Sequence, residues 1–181
     1  NTLVVANTGA DALKVTVTNA ANESLAATTL KAIGEKTAGV VTVQKALTVT
    51  GSYAQLKEAL VDTNTLVVAN TGADALKVTV TDTGGDEVQA TKLTGLTAKT
   101  DGVVTSQNGI LVSGSASEVT AALVTGGTKI TVGHASTTAS VSDSVNSTVA
   151  NTLAGIAKVQ TAFAGGVADT VDAFTDDDGS T

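Results

Sequence analysis

Residues 1–18 read NTLVVANTGADALKVTVT, and residues 64–81 repeat the same eighteen letters. A period of 63 is therefore written into the chain, and it limits the fold severely, because each copy must bury one apolar pattern in one way. At that offset, without gaps, residues 19–63 match residues 82–126 at sixteen of forty-five positions. The matches include Leu30 with Leu93, Gly39-Val40-Val41-Thr42 with Gly102-Val103-Val104-Thr105, Gly51-Ser52 with Gly114-Ser115, and Ala59-Leu60-Val61 with Ala122-Leu123-Val124. A diverged third copy begins near Thr128, with Lys129-Ile130-Thr131-Val132 in the place of Thr65-Leu66-Val67-Val68 after a one-residue insertion. The chain thus divides into repeat unit 1–63, repeat unit 64–127 and a partial unit 128–181.

Within a unit, Leu13, Val15 and Val17 alternate with polar residues, as do Leu76, Val78 and Val80. That period of two predicts a half-buried strand. Leu47 and Val49, matched by Ile110 and Val112, predict a second strand, preceded by the apolar triplet ending at Val43. Ser52 followed three residues on by Gln55 is a capping box, repeated as Ser115 with Glu118, and predicts a helix carrying Leu56, Ala59 and Leu60 on one face. A second helix runs through Ala27, Leu30 and Ile33, with Thr28 or Thr29 near its start. Turns are expected at Asn7-Thr8-Gly9, at Gly51 and at 82–85. Neither kind of element can bury its apolar face alone. The expected fold is a β-rich α/β repeat: a solenoid-like stack of short strands with short amphipathic helices. Abundant Val and Thr favour the strands, because branching at Cβ suits a pleated surface.

The last unit differs. Val149, Leu153, Ile156 and Phe163 recur at helical spacing, predicting an amphipathic helix over 148–163 that caps the stack or docks on a neighbouring chain. The acidic run Asp176-Asp177-Asp178 follows it as a solvated tail.

Composition removes much chemistry. Cys is absent and His134 is the sole histidine, so a disulfide framework, a thiolate site or an imidazole cluster within one chain is excluded. His134 is read as a turn residue. A net charge of -7, no Arg and three aromatic residues argue against nucleic acid, which calls for cationic or stacking side chains. The same charge disfavours an anionic membrane surface, and no apolar stretch is long enough to predict membrane insertion. A chain that opens on Asn1 is expected to be processed or cut from a longer protein. The pairs Gly84-Gly85, Gly126-Gly127 and Gly165-Gly166 lack the following Lys-Ser or Lys-Thr of a phosphate loop and read as turns. Asp82, Asp86 and Glu87 flank one such pair and are calcium candidates, since calcium takes several oxygen ligands from a loop. No cofactor is otherwise expected. A sugar-cleaving solenoid would need aromatic platforms, and the chain is read as a non-enzyme.

The stretches Leu47-Thr48-Val49-Thr50-Gly51-Ser52, Gln55-Leu56-Lys57-Glu58-Ala59-Leu60 and Ser140-Val141-Ser142-Asp143-Ser144 give the chain a style that resembles repetitive type I-secreted bacterial surface proteins, the adhesins and S-layer-like proteins. The resemblance covers nearly the whole chain without a diagnostic motif, and the calcium nonapeptide array of many such proteins is missing. It implies an extracellular or cell-surface location and a structural or adhesive role. The leading expectation is a structural protein that self-assembles head to tail into a filament or surface layer, through Leu3, Val4 and Val5 at one end and Val149, Leu153 and Phe163 at the other. The alternative is a rigid repeat module of a calcium-dependent secreted adhesin.

Overall fold

The computed structural model describes residues 13–62, 67–69, 75–83, 86–125, 129–132 and 137–143. They form an α/β fold with parallel sheets and four short helices. In chain order these are β1 (Val15–Val17), β2 (Ser24–Ala26), α1 (Ala27–Gly34), β3 (Val41–Val43), β4 (Thr48–Gly51), α2 (Tyr53–Leu56), β5 (Val67–Ala69) and β6 (Lys77–Val80). Then follow β7 (Glu87–Gln89), α3 (Ala90–Thr97), β8 (Val104–Ser106), β9 (Leu111–Gly114), α4 (Ala116–Val119), β10 (Ile130–Val132) and β11 (Thr138–Val141). Helices α2 and α4 each widen into a π-helical turn, Lys57–Val61 and Thr120–Thr125.

The period of 63 carries every described element of the first copy onto one of the second. Strands β1, β2, β3 and β4 become β6, β7, β8 and β9, while α1 and α2 become α3 and α4. Strands β5 and β10 are also 63 residues apart, so they align without the expected insertion. The third copy instead loses two residues before β11: Thr48 pairs with Lys77, whereas Leu111, its counterpart, pairs with Thr138.

Strand order is β1-β3-β5 in one sheet, β10-β8-β6-β4-β2 in a second and β11-β9-β7 in a third. Non-consecutive neighbours in parallel sheets need crossovers, and the helices and loops between strands supply them. Register stacks like on like: Val15 on Val41 on Val67, and Val49 on Val78. Inward columns of Val and Leu and outward columns of Thr follow from the strand period of two.

By packing, the chain separates into two compact units, Asn1–Thr81 with Gly95–Val104, and Asp82–Thr94 with Thr105–Thr181. The first border falls after Thr81, where the copied segment ends, and not after residue 63. Strand pairing explains this: β5 lies beside β3 and β6 beside β4, so these two strands complete the preceding unit.

The core of the first unit includes Val17, Ala27, Leu30, Val41, Val43, Leu47, Val49, Leu56, Ala59, Leu60, Leu76 and Val78, all buried. In the second unit Val88, Ala90, Leu93, Ile110, Val112, Val119, Ala122 and Leu123 take the corresponding role. Each fully buried Val or Leu contributes about 1.5–3 kcal/mol relative to exposure. The surface has drifted more than the core. Lys31 pairs with Glu35 and Glu58, and Lys57 with Asp62, at positions that the second copy fills with Thr or Ala. Such exposed pairs contribute little, so they are free to change.

Local chemistry sets the element ends. The capping boxes are present: Ser52 accepts from the Gln55 amide while Gln55 accepts from the Ser52 amide, and Ser115 and Glu118 repeat both bonds. Helix α1, however, uses neither Thr28 nor Thr29 as cap. Strand β2 runs straight into it, with extended Ala26 as an N-cap that has no side-chain bond. Gly51 is not a free turn but the last paired residue of β4, opposite Val80. A Cβ there would stand 3.0 Å from the Cβ of Ala27, which explains the glycine.

A threonine joins neighbouring segments in each copy. The Thr37 hydroxyl donates to the Leu13 carbonyl and accepts from the Gly39 amide, and Thr100 does the same with Leu76 and Gly102. Gly102 is obligatory at its position, since a Cβ would lie 2.1 Å from the Leu76 oxygen.

A candidate assembly edge

Among the described residues strand β1 ends its sheet, with β3 on one side only. Its duplicate β6 shows what the other side accepts. In β6 the Lys77 and Thr81 amides donate to the Leu47 and Gly51 carbonyls that bound β4, at 2.7 and 2.9 Å. The amide of Val78 points the opposite way, to Val103, as that of Val15 points to Val40. Lys14 and Thr18 hold the places of Lys77 and Thr81, and no β4-like strand stands before them among the described residues.

Side chains report the same vacancy. Leu76 is 0% exposed and its duplicate Leu13 is 43% exposed. Val78 is buried, whereas Val15 is only half-buried. Between β1 and α1 lies a groove of about 560 Å3 whose lining includes Leu13, Val15, Val17, Thr29, Ala32 and Ile33. Open strand edges and exposed apolar grooves are what chains use to add strands.

The opposite situation holds at β11, the strand that takes β6's role beside β9. Its bonds repeat those of β6: Thr138 and Ser142 amides donate to Ile110 and Gly114, each at 2.9 Å. Its letters are poorer. With the register given by β9, Ala139 stands where β6 has Val78, and Thr137 stands where Leu76 would be. Thr137 is buried, and its hydroxyl has no hydrogen-bond partner among the described residues. A buried hydroxyl left so costs about 1–3 kcal/mol.

The calcium candidates are separated into structural roles. The Asp86 carboxylate accepts from the Thr83 amide at 2.9 Å and the Thr83 hydroxyl at 3.1 Å, closing a turn. Glu23 closes the duplicate turn, accepting from the Ala20 amide at 3.1 Å and from Asn19 at 3.0 Å. Glu87 accepts from the Ser113 hydroxyl across the β7–β9 pair, as Ser24 meets Thr50 across β2–β4. The Asp82 carbonyl accepts from the Asn108 side chain at 3.1 Å. Among the described residues no three His, Cys, Asp or Glu side chains come together as a metal site. Leu3, Val4, Val5, Val149, Leu153, Phe163, His134 and the acidic run at 176–178 lie outside the described residues. No helix among the described residues is long and apolar enough to cross a membrane.

The open β1 edge escaped sequence reading, because identical letters predict identical environments. The available signal was the identity of 1–18 with 64–81 itself, which marks Leu13 as a residue built to be covered. No family model, curated protein or solved structure matches the chain.

Proposed function

We propose that the chain is an extracellular structural protein, without catalytic function, that self-associates head to tail into a filament or surface layer. The observation that carries this is the contrast between Leu13 and Leu76, one letter of a duplicated segment exposed in the first copy and sealed in the second. A chain of such copies is a solenoid-like stack, each strand pair leaving an edge for the next, and open heterologous contacts of that kind generate filaments. An acidic surface without Arg, Cys or Met supports an extracellular setting. Light scattering and electron micrographs of purified protein test the reading. Growth of ordered rods or sheets with concentration, in chelator as in calcium, supports it; a monomer at every concentration overturns it. Assembly only in calcium would favour the adhesin module instead.

A further inference from the structure

We propose that β1 of one copy pairs in parallel with β9 of a second copy, taking the place of that copy's own β11. This rests on the self-association reading and names its contact. The pairing of β4 with β6 fixes the register, because β9 is the duplicate of β4 and β1 of β6: Leu111 faces Lys14, Val112 faces Val15, Ser113 faces Thr16 and Gly114 faces Val17. The Lys14 and Thr18 amides then donate to the Ile110 and Gly114 carbonyls, which now accept from Thr138 and Ser142. The backbone bonds are exchanged one for one, and Asn19 falls in register where Asp143, whose carboxylate accepts from the Ala116 amide, stands now, so the ladder does not decide the outcome. Apolar contact does. Leu13 replaces Thr137 and Val15 replaces Ala139, which covers an exposed leucine and returns an unpartnered hydroxyl to water. A second copy is the occupant because β6, whose four letters recur as residues 14–17, already pairs with the duplicate of β9 in this fold.

Engineered cysteines in this cysteine-free chain read the contact directly. Parallel strands place facing Cα atoms within disulfide reach, so Thr16→Cys and Ser113→Cys, on separate chains, are mixed and oxidised. A mixed disulfide dimer is expected in several-fold excess over the same reaction of Thr16→Cys with Thr91→Cys, an exposed position of α3 that the proposed register does not place opposite Thr16. Equal yields overturn the proposal. So does a Thr16→Cys thiol that a maleimide cannot reach in the monomer, since the edge would then be covered already. The double variant Thr137→Leu with Ala139→Val gives β11 the letters of β6, and should lower cross-linking several-fold while melting no earlier than the parent. Undiminished cross-linking in that background also overturns the exchange. Light scattering on the unmodified chain separates the two claims: association without the mixed disulfide removes this contact and leaves self-assembly standing, whereas permanent monomers remove both.

Discussion

The Thr100 hydroxyl donates to the Leu76 carbonyl and accepts from the Gly102 amide, a three-way junction that ties the loop before β8 to the start of β6. Thr100 is buried, so water cannot replace it. Thr100→Val keeps the shape and removes both bonds, and the expected loss is about 1–3 kcal/mol in urea unfolding. Thr37→Val should cost less, because the duplicate junction is partly exposed.

Two glycines give opposite outcomes on alanine substitution. Gly102→Ala forces a Cβ to 2.1 Å from backbone, and should destabilise by several kcal/mol or prevent folding, seen as loss of a cooperative melt. Gly95 lies inside α3 with nothing within 4 Å of the added carbon. Gly95→Ala should stabilise by roughly 0.5–1 kcal/mol through helix propensity.

Asn22 holds a left-handed backbone with φ of 67°, and the second copy has Gly85 at that place. Asn22→Gly should stay within about 1 kcal/mol of the parent, while Asn22→Ala should cost roughly 1 kcal/mol, because alanine keeps the Cβ and loses the short polar side chain that eases asparagine into this region. The bond from Lys77 to Asn22, at 3.0 Å on the surface, adds little to either figure. Chemical denaturation of both variants is the check.

Asp86→Ala removes the carboxylate that closes the turn at Thr83. It should lower stability by about 0.5–1.5 kcal/mol, by equal amounts in calcium and in chelator. A thermal shift with calcium that vanishes in this variant would reassign the residue.

Tyr53 is the sole tyrosine, so ultraviolet titration reports it alone. Burial is the main cause that raises its phenol above the ordinary 10.0; Lys57 opposes the rise and Asp62 adds to it. A folded value above the unfolded one means that the native state holds the proton longer. Its contribution to stability is therefore complete below pH 10 and is lost as pH climbs through the folded midpoint. The midpoint should fall back toward 10 in denaturant.

Much of the fold was legible in the letters. The alternation of Leu76, Val78 and Val80 marks β6, and the Ser-x-x-Gln and Ser-x-x-Glu boxes mark α2 and α4, because each follows from a local spacing. Strands β2 and β7 leave no such trace: each has three residues with one more buried than its neighbours, Leu25 or Val88, so no alternation can be read. The π-helical turns are hidden too, since Leu56, Ala59 and Leu60 fit an α-helical face equally well. Asp82, Asp86 and Glu87 are close in sequence, which suggests a shared loop; the turn that brings the Asp86 carboxylate back to Thr83 depends on backbone geometry that spacing does not report. Exposure of Leu13 depends on which strand is its neighbour, a relation that lies outside any eighteen-letter window.

The copied segment ends at Thr18 and again at Thr81, where the first unit's opening stretch also stops. A whole period can therefore be spliced in or out at either point while the letters on both sides of the join stay the same. Chain length can change in quanta of one period through recombination between like stretches, and a lineage could tune its reach without inventing a new sequence.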